Sequence, residues 1–189
     1  MEQIKQVLLC GFGGQGIVLA GTMLGQAAFK EGKWVSSTNS FGSAARGGSC
    51  RAEVVISNRP ISFPHVIEAD ILIAMYQTAY DKYIAQVKHD GGVVIYDDSF
   101  ISPKEITGLK YLPIPATRTA IEKLNRGLVA NVIILGAAME MTGIVSKDAL
   151  KSVIEEIVPE RLRELNLKAL DIGFELGKTK GKVISCYGG

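Results

Sequence analysis

Glycine fills four of the six positions from 11 to 16, in the order Gly11-Phe12-Gly13-Gly14-Gln15-Gly16. An apolar run, Val7-Leu8-Leu9-Cys10, leads into it, and another, Ile17-Val18-Leu19-Ala20, follows at once. That succession specifies strand, tight turn and helix. Gly11, Gly13 and Gly16 match G-x-G-x-x-G, whose glycines turn the chain sharply, bring bare backbone N–H groups near an anion and let a helix pack closely on its strand. The stretch commits the chain to an α/β architecture. It does not choose between a ligand loop and glycines that serve only turn and packing.

From Gln6 to Phe29 there are 24 residues without a charge, including Gly21-x-x-x-Gly25, which superficially resembles a membrane helix. The glycines at 11 to 16 would break it, and the apolar part beyond them, Ile17 to Phe29, has only 13 residues, too few to span a bilayer. The sequence therefore predicts no membrane. With 21 basic and 19 acidic residues the net charge is +2, and no basic block carries interleaved aromatics, so nucleic acid is not an expected partner. Cys10, Cys50 and Cys186 are far apart and odd in number, which indicates neither a disulfide framework nor a metal or iron–sulfur cage and fits a cytoplasmic protein. The start, Met1 to Lys5, lacks the pattern of a signal peptide, so export is not expected.

Along the chain, helical residues 16 to 30 end at Gly32, and Lys33 to Thr38 gives a second strand. A glycine- and serine-rich loop from Asn39 to Ser49 precedes a β-branched strand, Arg51 to Ile56, and Ser57-Asn58-Arg59-Pro60 reads as a turn into Ile61-Ser62-Phe63, so a hairpin is expected and the sheet is mixed. Asp70 to Met75 and Val93 to Asp97 read as buried parallel strands with a helix, Gln77 to Val87, between them. Tyr111 to Pro115 is an edge strand, because its prolines cannot donate to a ladder. Helices follow at Thr117 to Leu124 and Gly127 to Met141, another is capped by Ser146, and one starts at Pro159 with a stripe of Leu162, Leu165, Ala169, Ile172 and Leu176. The expected fold is one domain over residues 1 to 189: a three-layer α/β/α with a mostly parallel, mixed sheet and a Rossmann-like glycine loop after the first strand, frayed from about residue 179.

The usual owners of such a loop do not fit. Ile17 and Val18 stand where a nucleotide-hydrolysing P-loop carries its lysine and hydroxyl. An NAD-binding unit wants an acid at the end of the second strand, where Ser37-Thr38-Asn39 stand, and Glu31 precedes that strand at the wrong end of the sheet. His65 and His89 read as surface residues, Asp97-Asp98 as a turn or helix cap, and Cys50 as buried packing. Arg46, held in the second glycine loop, could fork onto a carboxylate, a phosphate or a partner's acid. No catalytic residue and no metal site is expected. The candidate cofactor-binding residues are Gly11, Gly13, Gly14, Gln15, Gly16, Arg46, Gly47 and Gly48.

The ordered set Gly11 to Gly16, Phe41-Gly42-x-x-x-Arg46-Gly47-Gly48-Ser49, the strand Ala52 to Ser57, Asp70-Ile71-Leu72-Ile73-Ala74 and Tyr80-Asp81-Lys82-Tyr83 resembles the gamma subunits of 2-oxoacid:ferredoxin oxidoreductases, most closely the 2-oxoglutarate type. The resemblance implies a subunit of a complex that decarboxylates a 2-oxoacid, forms acyl-coenzyme A and passes electrons to ferredoxin. It implies alpha and beta partners, with delta as a further one, and a complex using thiamine diphosphate, Mg2+, [4Fe-4S] clusters and coenzyme A, none held firmly by this chain. Ser43-Ala44-Ala45 departs from relatives that carry a proline and an acid before the arginine. A self-sufficient NAD(P)- or flavin-binding oxidoreductase is the alternative, and an indolepyruvate-type substrate a variant within the family.

Overall fold

A computed structural model of the chain describes residues 4–41 and 48–181. In chain order it has strand β1 (Ile4–Phe12), helix α1 (Ile17–Lys30), strands β2 (Trp34–Phe41), β3 (Ser49–Ser57) and β4 (Ile71–Ala74), helix α2 (Gln77–Tyr83), strands β5 (Val93–Asp97) and β6 (Lys110–Ile114), then helices α3 (Ala116–Leu124), α4 (Ala130–Thr142), α5 (Lys147–Ile157) and α6 (Glu160–Lys180). The strands form one sheet in the order β2-β3-β1-β4-β5-β6. β1, β4, β5 and β6 are parallel, whereas β3 lies antiparallel between β1 and β2. The carboxyl ends of β1, β2, β4, β5 and β6 therefore gather along one rim with the start of β3.

The expected three-layer α/β/α fold is present with very unequal layers. One face carries α1, α3, α4, α5 and α6, and the large apolar core lies there. α4 is buried on every side, as its unbroken apolar sequence requires, because the sheet lies beneath it and α6 above it. The other face has only α2, a 3-10 turn at Ile84–Gln86 and irregular connections around Tyr80, Tyr83 and Ile101. No helix among the described residues is long and apolar enough to cross a membrane.

Four expectations need correction. Ile61 to Phe63 forms no strand: both edges of β3 are taken by β1 and β2, so no edge is left for a hairpin partner. The segment instead straps across the sheet, Ser36 Oγ donating to Pro64 O at 2.9 Å and Ile67 N to Gln6 Oε1 at 2.6 Å. The glycine- and serine-rich loop is shorter than its composition suggests, since Asn39, Ser40 and Phe41 pair with Ala52, Arg51 and Cys50 on β3 and Ser49 pairs with Phe12 on β1. The helix expected to reach Val87 stops as an α-helix at Tyr83. Finally, α6 buries Asn166, Ala169, Leu170, Gly173, Phe174 and Gly177, so its inward face is rotated from the leucine stripe: Ala169 is in the core and Leu165, Ile172 and Leu176 lie partly buried against it, but Leu162 is 40% exposed. Gly173 and Gly177 set the centre of that face because they let the α6 backbone lie directly on α4.

Candidate functional site

The glycine loop follows β1, whose onward helix α1 packs on one face of the sheet while α2, after the neighbouring parallel strand β4, packs on the other, and such a divergence at the carboxyl ends is where open α/β sheets gather ligands. Gly16 caps α1 in a left-handed conformation, φ 73°, with no side-chain cap. A Cβ there would also meet Asn131 Nδ2 at 2.4 Å, so glycine is required twice over. Asn131 is buried in otherwise apolar α4, and its amide donates to Gly16 O at 3.0 Å. Gln15 turns back into the loop: its Oε1 accepts from Phe12 N at 2.7 Å and its Nε2 donates to Met75 O at 3.1 Å, tying the loop to the end of β4.

The two glycine motifs meet. Gly13 N donates to Gly48 O at 3.2 Å, closing the first loop onto the residue before β3. Lys82 reaches the same place from α2, donating to Ser49 Oγ at 3.3 Å and lying over the Tyr83 ring at 5.2 Å, while Arg51 approaches that ring at 5.4 Å. Beside the loop an aromatic row runs along the rim, Phe12 to Tyr76 at 5.2 Å and Tyr76 to Phe100 at 5.8 Å between ring centroids. Of the candidate residues, Gly11, Gly13, Gly14, Gln15, Gly16 and Gly48 are thus on one rim; Arg46 and Gly47 lie outside the described residues.

The dinucleotide reading meets a topological obstacle as well as a missing acid. β3 separates β2 from β1, so the end of β2 stands two strand spacings, about 10 Å, from the glycine loop. Glu31 is at the opposite end of α1, where its Oε1 accepts from Ser146 N at 2.7 Å. Asp97 is fully buried and accepts from Thr117 N, Thr117 Oγ1 and Ser99 N, so it fastens the start of α3 and a turn, as expected. Cys50 and Cys10 are buried on opposite faces of the sheet, and burial pushes both thiols up in pKa, away from reactivity.

One cluster was not anticipated. Glu53 on β3 is buried, yet its carboxylate accepts from Thr38 Oγ1 at 2.9 Å, meets His65 Nδ1 at 3.0 Å and pairs with Arg51 at 3.0 Å. His65 is exposed, as expected, but engaged. The signal for Asn131 was available, a lone amide in an apolar helix, whereas nothing local marked Glu53. Replacing Asn131 with alanine is expected to cost about 1–2 kcal/mol in urea unfolding and to speed amide exchange in residues 12 to 16, because the loop loses its tether to α4.

Residues 6–176 match the family described as pyruvate ferredoxin/flavodoxin oxidoreductase. The chain belongs to that family. It is 44% identical over 177 residues to the 2-oxoglutarate synthase subunit KorC of Methanocaldococcus jannaschii, a match covering 92% of this chain and 94% of that one. Among solved structures it resembles the gamma subunit of keto/oxoacid ferredoxin oxidoreductase from Geobacter sulfurreducens, with TM-score 0.81, 35% identity and coverage of 93% and 99%. It also resembles 2-oxoglutarate:ferredoxin oxidoreductase from Magnetococcus marinus, solved with 2-oxoglutarate, coenzyme A and succinyl-CoA bound. There the TM-score is 0.88 at 25% identity, and 97% of this chain matches 32% of a much longer one. The same module thus occurs in this family both as a separate subunit and as one part of a larger polypeptide.

Proposed function

We propose that this chain is the gamma subunit of a 2-oxoacid:ferredoxin oxidoreductase of the 2-oxoglutarate type. The assembled complex oxidatively decarboxylates the 2-oxoacid, forms the acyl-coenzyme A and delivers electrons to ferredoxin, in the cytoplasm. The observation that carries this reading is the match to a 2-oxoglutarate synthase subunit over 92% of this chain and 94% of that one. In this reading alpha and beta subunits, with delta as a further partner, hold thiamine diphosphate, Mg2+ and the [4Fe-4S] clusters. Among the described residues of this chain, no group of three or more His, Cys, Asp or Glu is placed to hold a metal ion.

The part assigned to this chain is assembly and positioning. In this reading the residues that serve contact with the thiamine-binding subunits and with an anion such as coenzyme A are Gly11, Gly13, Gly14, Gln15, Gly16 and Gly48, together with Arg46 and Gly47, which lie outside the described residues. The Gly13–Gly48 bond supports treating the two segments as one surface, and the positive end of α1 at Gly16 favours negative charge nearby. A tagged chain should co-purify with alpha and beta subunits, and its deletion should abolish coenzyme A-dependent 2-oxoacid oxidation; failure of both would sink the reading. In the assembled complex, Arg46→Ala should raise KM for coenzyme A about tenfold with kcat little changed, the worth of one guanidinium–phosphate bond. An unchanged KM would remove the anion role. Comparing 2-oxoglutarate with pyruvate, 2-oxoisovalerate and indolepyruvate as substrates decides the 2-oxoacid.

A further inference from the structure

The two edges of the sheet are built differently. β6 is short, five residues, begins with Lys110 and carries Pro113, both of which discourage another strand from adding. β2, at the other edge, runs for eight residues, Trp34-Val35-Ser36-Ser37-Thr38-Asn39-Ser40-Phe41, with neither a charge nor a proline. Its register on β3 continues without a slip from Trp34 opposite Ser57 to Phe41 opposite Cys50, so no bulge twists the edge away. Among the described residues it pairs with β3 alone. A long, straight, uncharged edge is the arrangement that proteins otherwise guard against, because its outward N–H and C=O groups accept any further strand.

We propose that β2 pairs antiparallel with β2 of a second copy of this chain, joining two six-stranded sheets across a two-fold axis. An antiparallel backbone edge is complementary to itself, each donor meeting an acceptor on the copy. A two-fold axis also brings residues of the strand close to their own copies, so any charged side chain at its centre would meet the same charge. β2 is uncharged throughout, and self-pairing carries no such repulsion. The axis must stand normal to the sheet, which sets like faces side by side. On one face this continues the contact beyond the backbone: Trp34 shares that face with Ser36 and Thr38, which hold the strap, and Trp34 and Phe63 of the strap are each 54% exposed.

The test is sedimentation velocity of the full chain alone, together with amide exchange. Wild type should sediment as a dimer with slowly exchanging β2 amides. Ser37→Lys combined with Asn39→Lys, both at exposed positions, should raise the dissociation constant at least ~100-fold, since two pairs of like charges then face each other and solvated lysines guard the edge. Circular dichroism and the melting temperature of the dissociated variant show that it remains folded. A monomeric wild type with fast β2 exchange overturns the proposal, and so does a dimer that survives the two lysines. Slow β2 exchange only when alpha and beta subunits are bound also overturns it and gives the edge to one of those subunits. None of these outcomes depends on whether the complex oxidises 2-oxoglutarate.

Discussion

Gly173→Ala is expected to destabilise the chain by about 3 kcal/mol and lower its melting temperature by roughly 6–12 °C. A Cβ at Gly173 would lie 2.3 Å from Ile133 O and 3.1 Å from Ala137 N, both backbone atoms of α4 that no rotamer change can move. The same closeness recurs one turn apart: a Cβ at Gly136 would stand 2.9 Å from Leu170 O, and one at Gly177 would stand 2.7 Å from Ala137 O. The two helices touch backbone to backbone, and one methyl must drive them apart over several residues. Alanine returns only about 1 kcal/mol of helix propensity, so the clash outweighs it. Leu162→Ala is the control, since Leu162 belongs to the apparent stripe but is 40% exposed, and its loss should cost less than about 1 kcal/mol. Thermal denaturation followed by circular dichroism measures both. Equal losses would mean that the leucine stripe, not the glycine line, holds α6.

That contrast shows what kind of information the sequence carries. The strand, turn and helix at residues 4 to 30 were legible because a glycine cluster between apolar runs admits few conformations. Ser146 was legible as a cap because capping is local, and its hydroxyl does accept from Ala149 N at 3.1 Å. Strand order was not legible. That β3 would insert between β1 and β2 depends on pairings between residues far apart, and with both its edges used the proposed hairpin had nowhere to form. The stripe on α6 was legible only in part for a related reason: Ala169 lies in the core and Leu165, Ile172 and Leu176 pack against it, but the closest approach to α4 is made at Gly173 and Gly177, which hydrophobic periodicity cannot weigh.

The candidate site was legible in its glycines and not in its fastenings. Gly13 and Gly48 stand out by composition, yet the bond between them needs the antiparallel turn of β3 back towards the β1 rim. Asn131 was visible as an interruption in an apolar helix, but its partner, Gly16 O, is 115 residues away. Tyr80-Asp81-Lys82-Tyr83 splits by role along the helix: the tyrosines fill the smaller core, while Lys82 projects to Ser49 beside the loops.

Glu53→Ala is expected to cost about 2–3 kcal/mol at neutral pH, less than the roughly 3–5 of a wholly buried pair. Along β3 the residue alternates with Ala52 and Val54, which would place an acid on a solvated face; here that face is covered by the strap, and Glu53 is 3% exposed. Burial alone would push its carboxyl up, but hydrogen bonds from His65 and Thr38 and the charge of Arg51 outweigh it, so the pKa lies below the ordinary 4.5. Removing the carboxylate strands Arg51 and Thr38, though the side chains of Arg51 and His65, 28% and 53% exposed, recover part of their hydration, which is why the cost is reduced. The pH dependence follows from the sign of the shift. A depressed carboxyl contributes stability that is fully present well above 4.5 and is lost as pH falls through the lower folded value. Urea unfolding should therefore show wild type losing stability more steeply below pH 4.5 than Glu53→Gln, and the gap between them narrowing with acid. A gap that stays constant down to acid would mean that Glu53 acts through its packing and not its charge. Because the same carboxylate ties β2, β3 and the strap together, the variant should also loosen Phe63 and Trp34, and with them the flank of the proposed dimer edge.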